Sequence, residues 1–427
     1  MSNPIFIARQ DTLEQEILPA QWLSQYKLFG EESYTFQDKE IWKRLCMSRA
    51  AANDRDMHAE ALEEMLTTFS AEHTGKWMLT VYGMDAAVLE GLATMAAVAG
   101  NGTAMAAVAG NALLMHAITN SETAMRVIAN SQTAMQRVAN SATAMDAISG
   151  SKIARGAVQA SPYYNSYIKE NDMAIAKLVV ALASLESAGY SGMAGVAADS
   201  TAMNAVAASS TAMNAVAASS VARNAISASP YYDAKIKEND MAIAKLVVGF
   251  ANLESARYSG CAGMAADSTA MTAVAASSTA MTAVAASGVA LKAIAQAYKK
   301  TANMLQFLKA VNASDTLVKR IYSTLTNATA LFGAAQLGSQ DSVENANSWA
   351  TTSAAPNAFL ACACGYYGSS SDSVSVTYNG TVIAQKKTGT KQPGSVASTN
   401  VNAITMAPST FTENGDGYLA VQKFTAK

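Results

Sequence analysis

A ten-residue period constrains this chain more than any other feature. From Gly91 the sequence runs GLATMAAVAG, NGTAMAAVAG, NALLMHAITN, SETAMRVIAN, SQTAMQRVAN, SATAMDAISG and SKIARGAVQA, seven units ending at Ala160. A continuous helix cannot carry such a period. Ten residues at 100° each fall roughly 80° short of three turns, so the apolar face would rotate away with every unit. The punctuation gives a consistent alternative. Each unit closes on Gly or Asn (Gly100, Gly110, Asn120, Asn130, Asn140, Gly150) and the next opens on Asn or Ser (Asn101, Asn111, Ser121, Ser131, Ser141, Ser151). Gly and Asn tolerate the left-handed conformation that ends helices, and Asn and Ser are strong N-caps. Each unit is therefore expected to be a two-turn helix with a left-handed stop and a capped restart.

Within a unit the fifth residue is usually Met and the eighth Val or Ile, as in Met105 and Val108 or Met125 and Ile128. Three apart on a helix, they share a face. Alanine at the fourth and seventh positions is expected to let helices approach closely. One two-turn helix is too short to stand alone. Stacked neighbours bury a continuous Met/Val/Ala core, which is the logic of a solenoid.

A longer period overlies the first. Residues 161–228 and 229–296 are near copies. Each opens with SPYY (Ser161–Tyr164, Ser229–Tyr232), continues IKENDMAIAKLVV (Ile168–Val180, Ile236–Val248) and reaches LES (Leu185–Ser187, Leu253–Ser255). Ser-Pro is a helix start, and the block 161–188 is expected to form one longer, interrupted helix before four decads resume. Asp199 and Asp267 are expected to be N-caps, and Cys261, which stands where the first copy has Met193, a buried thiol.

The flanks differ. Residues 1–90 hold Trp22, Trp42 and Trp77, and positions 1–80 carry 21 of the chain's 62 charged residues, the pattern of an ordinary helical module. Residues 297–344 carry Met304, Phe307, Leu308, Val311, Leu317, Ile321 and Leu325 at helical spacing and read as a helical neck or helix pair. Residues 345–427 turn to Ser, Thr, Gly and Asn. There SVSVTYNGTVIAQKK alternates on both sides of Asn379–Gly380, a strong hairpin signal, and a small antiparallel β-sandwich is expected. The fold class is thus mainly α with a C-terminal β domain. The parts are 1–90, the decad array 91–160, the super-repeats 161–228 and 229–296, the neck 297–344, and the tip 345–427.

Composition narrows the function classes. Charged residues make up 15%, net charge is −2, and 89 of the 427 residues are alanine. No basic field argues for nucleic acid. Gly91–Ile118 lacks formal charge but contains Asn101, Asn111, Gly100, Gly102 and Gly110, and Met173–Ser184 is short and contains Lys177, so no membrane insertion is expected. No secretory signal is apparent at the start. No nucleophile elbow, P-loop, zinc-protease or dinucleotide fingerprint occurs. Of the three histidines, His58 lies near Glu60, Glu63 and Glu64 on a charged helix face, and none of the four cysteines has metal-ligand spacing. No catalytic residue, metal or cofactor is expected. Two sets of aromatics stand out. The pairs Tyr163–Tyr164 and Tyr231–Tyr232 recur at matched positions and read as packing, whereas Trp349, Tyr366, Tyr367 and Tyr378 lie among small polar residues, a mixture suited to sugar or protein contacts.

Runs such as STAMNAVAASSTAMNAVAASS (200–220) resemble the Ala/Met/Ser-rich decapeptide repeats of virion appendage proteins of tailed bacteriophages, often termed tail fibre proteins. The likeness covers about 91–296. It implies an N-terminal module docked on other virion proteins, a repetitive shaft, and a C-terminal tip that meets a host-surface glycan or protein, commonly in a homotrimer. It also implies that the protein resides in the virion. A collar, whisker, baseplate or decoration protein whose tip binds other virion proteins would share this layout.

Overall fold

The computed structural model describes residue 92 and residues 94–427, except 344–347, 352–356, 367–372, 388–389, 392–394, 408 and 415–416. The expected N-terminal module, with His58 and the first three tryptophans, lies outside the described residues. The chain divides into two compact units, one ending at Val196 and the other running Ala197–Lys427.

In the first unit each decad is one helix: α1 Met95–Gly100, α2 Gly102–Gly110, α3 Ala112–Asn120, α4 Glu122–Ala129, α5 Gln132–Ala139, α6 Ala142–Gly150 and α7 Lys152–Ala160. A short α8 (Tyr164–Tyr167) and the longer α9 (Asp172–Leu182) follow, and the division falls within α10 (Met193–Ala198). The N-caps are those the spacing predicts. The Asn101 side chain accepts from the backbone N–H groups of Thr103 and Ala104, both at 3.0 Å, and Ser121, Ser131, Ser141 and Ser151 cap in the same way.

The helix ends are not left-handed. Among the described residues positive φ occurs only at Ser184, Asn252, Asn357, Asn379 and Gly380, none of them at a decad joint. Instead one extended residue serves two helices. Asn101 (φ −96°, ψ 115°) ends α1 by donating its N–H to the Val98 carbonyl and starts α2 with its side chain. The closing asparagines serve in another way, since the Asn120, Asn130 and Asn140 amides donate back to the carbonyls of His116, Arg126 and Gln136. They satisfy C-terminal carbonyls that a two-turn helix would otherwise leave open.

Sharp joints return the chain to itself every third helix: α5 packs on α2, α6 on α3 and α7 on α4. The cap hydroxyls tie these turns together. Ser131, Ser141, Ser151 and Ser161 donate to the carbonyls of Ala99, Ala109, Thr119 and Ala129, each 32 residues earlier, at 2.5–2.7 Å. The first three of these oxygens also accept the capping N–H of their own helix, so one small side chain closes a helix end and bonds a turn below. The buried positions are the fourth, fifth, eighth and ninth of each decad, as in Ala104, Met105, Val108 and Ala109. Alanine at the seventh position is buried in some decads, as Ala117 and Ala215 are, and exposed in others, as Ala107 is, so the expected contact there holds only in part.

The blocks that open the super-repeats also depart from expectation. The decads continue through them. Asn171 and Asn239 cap α9 and its counterpart α14 ten residues after Ser161 and Ser229, so each block is two modified decads followed by an eight-residue insertion, 181–188 or 249–256. The matched left-handed residues Ser184 (φ 62°) and Asn252 (φ 57°) turn the chain inside the two insertions.

The second unit contains α11 Ser200–Ala208, α12 Ser210–Ala218, α13 Ser220–Ser227, a π-helical turn at Asp233–Lys237, α14 Asp240–Phe250, α15 Cys261–Ala266, α16 Ser268–Ala276, α17 Ser278–Ala286 and α18 Gly288–Gln296. Here α16 and α17 meet at 104°. The same stacking holds: α14 packs on α12, and α17 on α14. Gly249 is fixed by this packing, because a Cβ there would lie 2.5 Å from the Ala217 carbonyl oxygen.

The segment expected to be a helical neck or helix pair is a helix pair. Its helices, α19 (Thr301–Asn312) and α20 (Asp315–Asn327), stack on α16 and α17 as two lengthened rungs of the coil. They also carry the β domain. The Asn312 side-chain amide donates to the Ile404 carbonyl at 2.7 Å, and its oxygen accepts the Ile404 N–H at 3.0 Å. The Tyr322 hydroxyl reaches the Val396 carbonyl, and its ring meets Phe424 edge-on. One apolar core runs from the second super-repeat through both helices into the strands. The first strand, β1 (Phe332–Val343), moves the start of the β domain back from residue 345 to residue 332.

The strands form two sheets. In one, β1 pairs with β9 (Gly417–Ala426) and β9 with β3 (Ala358–Tyr366), which also pairs with β6 (Thr390–Lys391) and β7 (Val401–Met406). The other runs β2 (Ser348–Thr351), β8 (Ser409–Asn414), β4 (Ser373–Tyr378), β5 (Thr381–Lys387). Every pair is antiparallel except β3–β6. The β4–β5 hairpin turns at Asn379 (φ 46°) and Gly380 (φ 77°), the positive-φ pair that this dipeptide favours.

Candidate functional site

The described strands place the aromatic residues of the tip on two sheets. Trp349 lies in β2 opposite Phe411, and Tyr378 ends β4 opposite Ser409, both on one sheet. Tyr366 ends β3 on the other sheet, and Tyr367 is outside the described residues. Tyr378 is 1% exposed, so its ring belongs to the core and is not the surface contact expected. Alternation explains this: Tyr378 is two residues from buried Val376 and shares its face. The hairpin instead exposes Val382.

Two polar centres inside the helical stack are more distinctive. Lys177 of α9, only 3% exposed, places Nζ 2.6 Å from Asp146 Oδ1 of α6 and donates to the Ser187 carbonyl at 3.1 Å. The Ser187 hydroxyl donates to the same Asp146 oxygen at 2.7 Å. The counterpart in the second super-repeat is Lys245 of α14. Its Nζ donates to Asn214 Oδ1 of α12 at 2.7 Å and to the Ser255 carbonyl at 3.0 Å, and the Ser255 hydroxyl donates to Asn214 Oδ1 at 3.0 Å. The eight-residue insertion supplies Ser187 or Ser255 and closes over the amine. The carboxylate has become an amide, and burial holds the Lys245 amine below its ordinary pKa of 10.5.

A groove of about 1050 Å³ opens in the second unit. It is lined by Thr282 and Ala283 of α17, by Tyr232, which precedes the π-helical turn, by Lys237 within that turn, by Arg320, Ser323 and Asn327 of α20, and by Phe250. Burial pushes the Tyr232 hydroxyl up to about 12, and Asp233 and Glu238 add to the rise while Arg320 opposes it. Tyr164, its counterpart, is also raised to about 12, by burial and then Glu170.

The remaining sequence candidates are structural. Asp199 and Asp267 each cap a helix by accepting two backbone N–H groups. Cys261 is fully buried, and burial, then Asp240, push its thiol far up, away from the reactive thiolate. His116 accompanies Asn120 on the α3 surface. Among the described residues no three His, Cys, Asp or Glu side chains gather as a metal site would require, and no single helix is long and apolar enough to cross a membrane. Sequence alone does not single out the lysine centres as sites, although MAIAKLVV, an apolar run with one central lysine at matched positions of both copies, is their signal.

No protein-family model matches this chain, and no curated protein is significantly similar to it.

Proposed function

We propose that this chain is a structural virion appendage of the tail-fibre kind. Residues 1–90 anchor it to other virion proteins, the stacked decads provide a shaft, and the β domain is presented for binding a host surface. The observation that supports this reading best is the union of stack and tip. Within the second unit helices rest on earlier rungs, and the last two rungs, α19 and α20, share one core with the β domain. A repeated unit with serine cross-bonds is a mechanical element whose length grows by copying, and a sheet packed on its final rungs is held rigidly to it. The charge-poor surface and Ser/Thr decoration suit a shaft, and oligomerisation, with a trimer favoured, belongs to the same proposal.

The test uses the full chain, because a fragment beginning near residue 340 would cut through β1 and discard the helices on which the sheet packs. Mass in solution and negative-stain images are read together with binding of fluorescently labelled protein to a panel of bacterial cells. An elongated oligomer that labels a subset of cells supports the reading. A compact monomer that labels none overturns it. An elongated oligomer that binds purified virion components and no cells would favour a collar, baseplate or decoration protein instead.

A further inference from the structure

The lysine centres have a third member that the repeat leaves open. Lys177 and Lys245 stand six residues after the N-caps Asn171 and Asn239. Ser314 caps α20, and the residue six positions on is Arg320. The partners follow the same register. Asp146 and Asn214 occupy the sixth position of the decads on which α9 and α14 rest, and the sixth position of the decad under α20 is Thr282. Both Arg320 and Thr282 line the groove.

Across the three sites the residue at the partner's register position thus changes from carboxylate to amide to hydroxyl. The cover changes as well. Lys177 and Lys245 are buried beneath their insertions, whereas α20 is followed directly by the turn into β1, and Arg320 is exposed. The charges around it are already engaged. Lys237 pairs with Asp233 at 3.4 Å, and Glu238 accepts the N–H groups of Gly288 and Val289 at the start of α18. Arg320 itself has neither an ion pair nor a hydrogen bond with any described residue. The same groove is lined by the Tyr232 ring, by Phe250, whose ring carries the Arg223 guanidinium 5.7 Å from its centroid, and by Thr282, Ser323 and Asn327.

We propose that this groove binds an anionic saccharide, with a ligand carboxylate or phosphate at Arg320 in the position that Asp146 takes at the first centre. Planar guanidinium suits a two-oxygen anion, the Tyr232 ring suits the apolar face of a sugar ring, and exposed hydroxyls and amides suit its hydroxyl groups. The volume accommodates several sugar residues, as an open groove slightly above the ordinary range of enclosed ligand pockets. This inference does not rest on the tip as a receptor-binding domain: a chain that labels no cell could still bind sugars in this groove.

Calorimetric titration of the full-length protein provides the test. The probes are trigalacturonate and a sialic-acid trimer for the carboxylate arm, a glycerol-phosphate oligomer for the phosphate arm, maltotriose as neutral control, and polyglutamate as a non-sugar anion. At least one anionic glycan is expected to bind ten-fold or more tightly than maltotriose. Arg320→Gln should weaken that binding ten-fold or more, and Arg320→Lys should restore part of it. Thr282→Asp should abolish it by supplying the carboxylate from the protein, while leaving the fold intact, since the first centre already has that arrangement. Failure of every anionic glycan at millimolar concentration overturns the proposal. So does binding indifferent to Arg320→Gln and Thr282→Asp, or polyglutamate binding as tightly as the best glycan.

Discussion

Centres Asp146–Lys177–Ser187 and Asn214–Lys245–Ser255 share their geometry and differ in one atom pair, an oxygen replaced by an amide nitrogen. Nearly all hydrogen-bond partners are retained, yet one buried ammonium has a counter-charge and the other has only dipoles. Position in the fold is thus set by the decad register, whereas electrostatics is set by a single substitution within it. The stack tolerates both because the amine is fixed by a backbone carbonyl from the insertion in each copy. A retained pattern of partners therefore does not imply a retained energy.

The largest effect is expected from removing the charged partner. Asp146→Ala leaves the Lys177 ammonium buried without a counter-charge. Breaking such a pair costs about 3 kcal/mol, the lower end of the usual range because Asp146 is itself a third exposed. Asn214→Ala removes a neutral acceptor of one ammonium and one hydroxyl hydrogen bond and should cost less, about 2 kcal/mol. Hydrogen-exchange protection of α9 and of α14 reads the two losses separately. Equal losses would show that the carboxylate acts merely as an acceptor.

Next is the close approach that differs between copies. Gly249 stands where the first copy has Ala181. A methyl group at 249 would meet the Ala217 carbonyl, so Gly249→Ala is expected to cost about 2 kcal/mol through overpacking. Ala181→Gly should cost about 0.5–1 kcal/mol, through helix propensity alone. Thermal unfolding of the two variants separates packing from propensity.

The decads, their caps and their Met/Val/Ala core are legible in sequence because a two-turn helix has few ways to satisfy its ends, and Ser or Asn every ten residues announces them. The hairpin at Asn379–Gly380 is legible for the same local reason. The joints are not, because Gly and Asn permit left-handed backbone without requiring it; the extended cap residue already redirects the chain. Period three, which sets who touches whom, depends on joint angles that no residue spells out. The neck resists reading because helical spacing in Phe307 and Ile321 reveals one buried face and not its partner, which here includes the sheet. Tyr378 misleads because its small polar neighbours suggest a surface, whereas its alternation with Val376 places it inside.

Converting the second centre into the first is the third experiment. Asn214→Asp should stabilise the second unit by about 1–2 kcal/mol near neutral pH by pairing Lys245. The pH dependence sharpens this. Burial holds the folded Lys245 pKa below 10.5, so between these values the unfolded chain binds more protons, and stability rises with pH. Below that window the desolvation cost stands in full. With a carboxylate beside it, the folded pKa rises, and stability gained at neutral pH is instead lost as pH climbs through it. Tyr232 and Tyr258, both raised to about 12, reduce stability above their ordinary value of 10.0 in either protein, so the difference between variant and parent is the quantity to read. An unchanged pH profile would show that Lys245 escapes to solvent.

The smallest effect is a predicted gain. Among the described residues the one buried side-chain oxygen or nitrogen lacking a hydrogen-bond partner is Ser149 Oγ, and the matching position one long period later is Ala217. Both residues present their carbonyl to an arginine, Arg155 in one case and Arg223 in the other, so the backbone role is kept and only the hydroxyl differs. An unsatisfied buried hydroxyl retains its desolvation cost with nothing to offset it. Ser149→Ala should therefore stabilise the first unit by about 1 kcal/mol, the low end for such a group, whereas Ala217→Ser should cost about as much in the second. Denaturant midpoints measured at constant slope decide the matter. A loss on Ser149→Ala would mean that a bound water satisfies the hydroxyl, and the two copies would then differ in hydration as well as in charge.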